Sequence, residues 1–285
     1  MSDLKCITVI GAGTMGRGII QSAVTHGLTV QVYEPVEAAR TTANSRIEAS
    51  IQKAIKRGKL DLADTSVAMN RIRWESTLQS AASGVEFVIE AIHEDESQKK
   101  DIFRELDTIC GKDIILASNT SSISITRLGA VTDRPDKVVG MHFFNPVPVM
   151  PPVEIVRGLE TSDETVSRTQ ELARQMGKQA FPVADVPGFA VNRILMPLLN
   201  EAFFTLDEGV AEAATIDSLL KLGCNHPMGP LELADFVGLD ICLSILRVLH
   251  RELGDPKFRP CPLLVRMVDA GRLGRKSGRG FYEYD

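Results

Sequence analysis

His142 and Glu154 lie twelve positions apart in the stretch KVVGMHFFNPVPVMPPVEIVRG. Two short apolar runs, 138–139 and 153–156, flank a proline-rich connection, so the pair is spaced for adjacent strands rather than one helix face. A carboxylate held against one imidazole nitrogen fixes the tautomer and stabilises the charged ring, and the other nitrogen takes a proton. That is the composition of a general acid–base pair. On this stretch alone, the two residues read equally well as a satisfied core histidine and an edge-strand glutamate.

A second group of residues has nucleotide chemistry. An apolar run, Cys6–Ile10, leads straight into Gly11, Ala12, Gly13, Thr14, Met15 and Gly16, and Ile19, Ile20, Ala23 and Val24 then recur at helical spacing. A second apolar run, Thr29–Tyr33, ends on Glu34, 18 positions after the last glycine. Glycines in such a turn let backbone N–H groups approach a pyrophosphate at the helix N-terminus, and the acid accepts from ribose hydroxyls. This order predicts a dinucleotide site. Glu34 followed by Pro35, with no arginine beside it, predicts NAD rather than NADP, because a 2′-phosphate would be repelled.

Other polar groups are less specific. The run Ser118, Asn119, Thr120, Ser121, Ser122 follows a strand pattern at 114–117, where α/β sheets place ligands, although hydroxyl-rich turns are also ordinary helix caps. Lys53, Lys56, Arg57 and Lys59 cluster on a helical excursion over 37–70, either as a solvated face or as a cationic patch for a phosphate-rich ligand. Asn192 lies near the start of a later helix, where capping is the common role.

The elements that must position these groups alternate first and then become uniform. Strand patterns at 71–74, 87–92, 114–117, the two runs around His142 and Glu154, and 180–183 are interleaved with helical patterns at 97–110 and 163–176. From Phe189 onward the apolar spacing is helical throughout, with long apolar stretches at 216–222, 231–248 and 262–268. The reading is an α/β Rossmann-type N-terminal domain with a mainly parallel sheet over 1–186, and an all-α C-terminal domain over 187–285.

Composition excludes several classes. The chain has 285 residues, 44% hydrophobic and 24% charged, and a formal net charge of −5. An acidic balance argues against general nucleic-acid or anionic-membrane binding. No apolar run is as long as a membrane span, and the first strand begins too early to leave room for a signal peptide. Cys6, Cys110, Cys224, Cys242 and Cys261 form no CxxC pair or metal spacing, and suit a cytoplasmic protein with reduced thiols. No metal is expected.

Taken together, the motifs GAGTMGRGI, IEAIHED, SNTSSISIT, HFFNPVPVM, DVPGFAVNRI, HPMGPLELADFVGLD and GRLGRKSGRGFYEYD resemble the L-3-hydroxyacyl-CoA dehydrogenase family, in its order and over nearly the whole chain. The resemblance implies an oxidoreductase interconverting L-3-hydroxyacyl-CoA and 3-ketoacyl-CoA with NAD(H). It implies His142 as catalytic base with Glu154 as its partner, and Ser121 and Asn192 on the substrate's oxygens. The implied cofactor set is Gly11, Gly13, Thr14, Met15, Gly16, Glu34, Ala91, Glu94, Lys99, Asn119, Ser121 and Asn145. Lys53 and Arg57 fall where relatives bind CoA.

Three departures stand out against that family: Glu34 for aspartate, Pro151-Pro152 for a Lys-Leu pair, and His93 for a small or β-branched residue. The resemblance also implies a homodimer through the C-terminal domain, which the apolar content of 231–248 supports. The rival readings are a dehydrogenase of a non-CoA 3-hydroxy acid or polyol, and a non-catalytic crystallin-like protein that would have no need of the His–Glu pair. A nucleotide-binding regulatory domain would not need Asn192 or the HFFNP turn.

Overall fold

The computed structural model describes residues 4–284. Two compact units divide after Val186. In the first, β1 (Cys6–Ile10), α1 (Thr14–Thr25), β2 (Thr29–Tyr33), α2 (Glu37–Lys56), α3 (Ser66–Met69) and β3 (Ile72–Glu75) are followed by α4 (Leu78–Ala81), β4 (Phe87–Glu90) and α5 (Glu96–Ile109). Next come β5 (Ile115–Ser118), α6 (Ile125–Gly129), β6 (Val138–Phe143), β7 (Pro152–Arg157), α7 (Asp163–Gln175) and β8 (Gln179–Ala184).

The eight strands form one sheet in the order β3-β2-β1-β4-β5-β6-β7-β8. Strands β1 to β6 run parallel, and β7 pairs antiparallel with β6 and parallel with β8. A mainly parallel sheet is therefore borne out. Its central strands are buried on both faces, which is why Ile7, Val9, Val30, Val32, Phe87, Ile89 and Leu116 read as continuous apolar runs rather than alternations. The order reverses direction between β1 and β4, and the crevice beyond the carboxyl ends of those two strands is where such sheets bind ligands.

Polar capping sets the helix starts. Asp95 accepts from the Gln98 N–H at 2.8 Å and opens α5, and Ser162 accepts from Thr165 to open α7. Asp185 ties the end of the unit back to α6, accepting from the backbone N–H groups of Ile125 and Thr126 at 3.0 and 2.8 Å and from the hydroxyls of Ser124 and Thr126. Two of the motifs, SISIT and DVPGF, meet in that one carboxylate. Beta4 is shorter than the pattern over 87–92 predicts: the Ile92 N–H bonds to Glu90 Oε1 at 2.7 Å and leaves the ladder.

The second unit is helical: α8 (Val191–Asp207), α9 (Ala213–Gly223), α10 (Pro230–Val237), α11 (Leu239–Leu253) and α12 (Pro262–Asp269). The apolar stretch 231–248 is not one helix. Gly238, at φ +106°, breaks it into α10 and α11, and each helix turns its own face to a shared core that includes Leu231, Leu239, Leu246 and Leu249. The apolar content of that stretch is therefore shared between two helices rather than carried by one.

Two buried aspartates organise the rest of this unit. Asp217 accepts from the Leu231 and Glu232 N–H groups at the start of α10 and from the Tyr282 hydroxyl. Asp235 accepts from the N–H groups of Phe281 and Tyr282 and from the Tyr284 hydroxyl. A Cβ on Gly229 would lie 2.3 Å from the Asp217 Cβ, and one on Gly280 within 1.9 Å of Asp235 Oδ1. The glycines of HPMGP and GRGFY are spaces for these carboxylates.

Candidate active site

His142 and Glu154 face each other directly. The antiparallel register of β6 and β7 pairs them, so both side chains leave the same face of the sheet. His142 Nδ1 lies 2.7 Å from Glu154 Oε2, with both side chains nearly buried. A buried, charge-assisted hydrogen bond of that length holds the ring in one tautomer and stabilises an imidazolium. The Phe144 ring packs against the imidazole at a centroid distance of 4.8 Å.

The backbone around the pair is fastened from three sides. Gly140 lies opposite Val156, where a Cβ would come within 2.6 Å of the valine side chain, so the strands close up only with glycine there. The Phe143 N–H donates to Asn119 Oδ1 at 3.0 Å, which ties β6 to the polar turn after β5. The buried Lys178 ammonium donates to the carbonyls of Val147 and Met150 in the proline-rich connection, and burial lowers its pKa. Pro151-Pro152 fits this path: Pro152 opens β7, a position that tolerates proline, and the Pro151 carbonyl accepts from Gln179 at 2.8 Å.

The glycine turn lies at the crevice. Gly11 takes φ +92°, and a Cβ there would come within 2.7 Å of the Ala91 carbonyl; a Cβ on Gly16 would come within 2.0 Å of the Gly11 carbonyl. These two glycines make the tight turn and the close seat of α1. Gly13 differs, because a Cβ built there meets nothing within 4 Å. Its open space is a cradle beside the N-terminus of α1, the place for a pyrophosphate. Glu34 reaches back to the same turn, with Oε2 accepting from the Ala12 N–H at 3.0 Å and Oε1 from the Val36 N–H at 3.2 Å. A carboxylate has acceptor capacity beyond those two bonds for a ribose hydroxyl. The residues present fit an NAD molecule.

Glu94 and Lys99 act on the polar turn. Glu94 Oε1 accepts from the Thr120 hydroxyl at 2.6 Å, the Ser121 N–H at 2.9 Å and the Ser122 N–H at 3.2 Å. The Ser121 hydroxyl makes no hydrogen bond to protein among the described residues. Lys99 is fully buried, with its ammonium 2.6 Å from Glu90 Oε1 and 3.5 Å from Glu94 Oε2. Glu90 Oε2 in turn accepts from the Ser118 hydroxyl at 2.6 Å. Sequence reasoning passed over Glu90. Its signal was an acid inside an otherwise apolar strand, FVIE, nine residues before a lysine.

The remaining candidates are spread out. Ala91 follows β4 beside Gly11, and Thr14 and Met15 open α1. Asn145 is exposed in the turn after β6, and His93 is exposed after β4. Lys53 and Arg57 are exposed at the C-terminal end of α2. Asn192 is buried in the first turn of α8, in the helical unit.

Comparison with known proteins places the chain in a family. Residues 6–186 match the family model for the 3-hydroxyacyl-CoA dehydrogenase NAD binding domain, and residues 188–284 match that for the 3-hydroxyacyl-CoA dehydrogenase C-terminal domain. The chain is 50% identical to a probable 3-hydroxybutyryl-CoA dehydrogenase of Bacillus subtilis (strain 168) over 283 residues, covering 99% of this chain and 98% of that one. It is 48% identical over 282 residues to a 3-hydroxybutyryl-CoA dehydrogenase of Bradyrhizobium diazoefficiens, covering 99% and 96%. Among solved structures, (S)-3-hydroxybutyryl-CoA dehydrogenase PaaH1 from Ralstonia eutropha superposes with a TM-score of 0.95 at 47% identity, covering 99% of this chain and all of that one. Two contiguous domain matches and relatives this similar over their full lengths make the chain a member of the 3-hydroxyacyl-CoA dehydrogenase family, with an NAD-binding N-terminal domain.

Proposed function

We propose that this enzyme interconverts an L-3-hydroxyacyl-CoA, such as 3-hydroxybutyryl-CoA, and its 3-ketoacyl-CoA. The observation that carries this reading is the His142–Glu154 pair, matched in register and 2.7 Å apart. Bound NAD⁺ supplies the hydride acceptor for the substrate's C3 hydrogen. His142 takes the 3-hydroxyl proton on Nε2, while Glu154 holds Nδ1–H and stabilises the imidazolium. In the reverse direction the same imidazolium returns the proton to the 3-oxygen. Ser121 and Asn192 orient the 3-oxygen and the thioester carbonyl.

The cofactor roles follow the turn geometry. Gly11, Gly13, Thr14, Met15 and Gly16 take the pyrophosphate at α1, and Glu34 takes the adenosine ribose. Glu94, with Lys99 behind it, sets the turn that carries Asn119 and Ser121, and Asn145 and Ala91 border the same crevice. Lys53 and Arg57 attract the phosphates of CoA, a role that a non-CoA hydroxy acid or polyol would leave unused. The protein works as a homodimer joined through its helical unit. Among the described residues, no helix is long and apolar enough to cross a membrane.

The test is a panel of acetoacetyl-CoA, longer 3-ketoacyl-CoAs, free 3-keto acids and sugar ketones, each assayed with NADH and NADPH. Turnover of acetoacetyl-CoA with NADH is expected. Turnover confined to the free acids or sugars would overturn the CoA reading, and preference for NADPH would overturn the role of Glu34.

A further inference from the structure

A groove of ≈ 170 Å³ lies between α1, α2 and the proline-rich turn after β6. Arg17 from the first turns of α1 and Arg46 from α2 both line it, together with Ser50 and Asn145; Gly18, Ile47 and Val147 supply its apolar floor. The groove is possible because position 18 is glycine, where a Cβ would come within 2.7 Å of Val147.

The two arginines are like charges without a counter-charge. Arg17 is partly buried and its guanidinium donates to the Thr14 hydroxyl at 3.4 Å; no carboxylate pairs with Arg17 or Arg46 among the described residues. Burial lowers the pKa of Arg17, and the Arg46 charge lowers it further, so the two guanidiniums repel each other across the groove. An arginine remains charged under such conditions, and an anion between the two would relieve the repulsion.

Helical spacing extends the feature. Arg46, Ser50, Lys53 and Arg57 recur at intervals of four, three and four residues, so they share one face of α2 and its C-cap. That row spans ~16 Å at 1.5 Å per residue, too long for a single phosphate. The glycine turn already offers its own N–H groups to the cofactor's pyrophosphate, so a row of cations leading away from it suits a second ligand with several phosphates. The end of the row that shares a groove with Asn145 lies nearest the turn leaving the His142 strand. In an acyl-CoA the diphosphate is nearer the thioester than the 3′-phosphate is.

Resting on the acyl-CoA reading above, we propose that Arg17 and Arg46 form a phosphate-binding site that takes the diphosphate of the substrate's CoA. Each guanidinium donates paired N–H groups to phosphate oxygens, the Ser50 hydroxyl adds a third donor, and the pantetheine leaves the groove past Asn145.

Arg46→Ala is the leading variant, because the side chain is exposed and holds no ion pair among the described residues. Its KM is expected to rise about ten-fold for acetoacetyl-CoA, the scale of one charge-assisted phosphate contact. The same rise is expected for acetoacetyl-dephospho-CoA, which keeps the diphosphate, and none for acetoacetyl-pantetheine, which lacks it. Arg46→Lys should recover part of the loss, and NADH affinity measured by fluorescence should not change. An equal rise with the pantetheine thioester overturns the site. A rise restricted to acetoacetyl-CoA moves the residue to the 3′-phosphate, and weakened NADH moves it to the cofactor's pyrophosphate; either overturns the assignment. Titration of CoA alone by calorimetry reads the site without turnover. If the unaltered enzyme does not reduce acetoacetyl-CoA, the substrate reading falls, while a ten-fold weaker CoA affinity in Arg46→Ala would still sustain the site and an unchanged one would overturn it.

Discussion

The Lys99 ammonium lies 2.6 Å from Glu90 Oε1, and neither side chain is exposed. Glu90 also receives the Ile92 N–H and the Ser118 hydroxyl, so one carboxylate joins the ends of β4, β5 and α5. Removing one member of a buried pair strands the other's charge, which costs about 3–5 kcal/mol. Lys99→Met should therefore lower stability by about that much, read as a shift in urea midpoint at constant slope. Glu90→Gln combined with Lys99→Met should recover part of the loss, because no buried charge is left unpaired. Lys99→Met with unaltered stability would contradict the pairing.

His142→Ala should lower kcat by about 10²–10⁴-fold, the usual size of a general acid–base contribution, with the fold intact by circular dichroism. Glu154→Gln should also lower kcat, since a neutral amide does not offset an imidazolium, while leaving NADH affinity unchanged. Near-normal turnover in His142→Ala would remove the ring from the mechanism.

Glu34 accepts one backbone bond from the glycine turn, at Ala12, and one from Val36 in its own loop, besides any it offers a ribose. Glu34→Ala should weaken NADH about ten-fold and narrow the discrimination against NADPH, on the scale of one charge-assisted hydrogen bond. Fluorescence titration with both cofactors checks this. Unchanged NADH affinity would leave the carboxylate with a purely structural role in the turn.

What the sequence made legible was mostly local or periodic. Gly11, Gly16 and Glu34 belong to one short stretch of sequence, and the structure explains both glycines by contacts under 3 Å, Gly16 against the Gly11 carbonyl and Gly11 against the distant Ala91 carbonyl. His142 and Glu154 were spaced for neighbouring strands and lie opposite each other. What stayed hidden needed tertiary information. Lys99 looks like a surface lysine on a polar helix, and only the fold brings Glu90 beneath it. The break at Gly238 was overridden by the apolar content around it, although a glycine inside such a run is a warning of a helix end. Arg17 and Arg46 lie on different helices, and no spacing rule relates them.

Burial pushes the Cys110 thiol up to about 11 and the Cys242 thiol up to about 12. With folded values above the unfolded one, their contribution to stability is fully present below the unfolded thiol pKa of about 8.5 and is lost as pH rises through about 11 to 12. The urea midpoint should therefore fall through that alkaline window, and less steeply in a Cys110→Ala, Cys242→Ala double variant. At pH 8 iodoacetamide should label the exposed Cys224 and spare both buried thiols. Rapid labelling of Cys242 in the native protein would contradict its burial.

The last prediction concerns assembly. With α10 and α11 turned onto a common core, 231–248 leaves Phe236 and Ile241 exposed, and the larger apolar exposure in the helical unit lies on α8 and α9. On α8, Ile194 is 71% exposed and Leu198 and Val191 are also exposed; Leu219 and Leu222 on α9 add to them, Leu222 at 86%. Ile194 and Leu198 are four residues apart, on one face of α8, and Val191 precedes them by three. A face of this kind in water favours a second apolar surface, and a two-fold axis supplies the same face again. Light scattering during size exclusion at low micromolar concentration should give about twice the chain mass of 31.1 kDa. Ile194→Lys with Leu198→Glu should shift it toward the single chain if α8 carries the interface, and Leu219→Glu with Leu222→Lys should do so if α9 does. A monodisperse, active monomer of the unaltered protein would end the proposal.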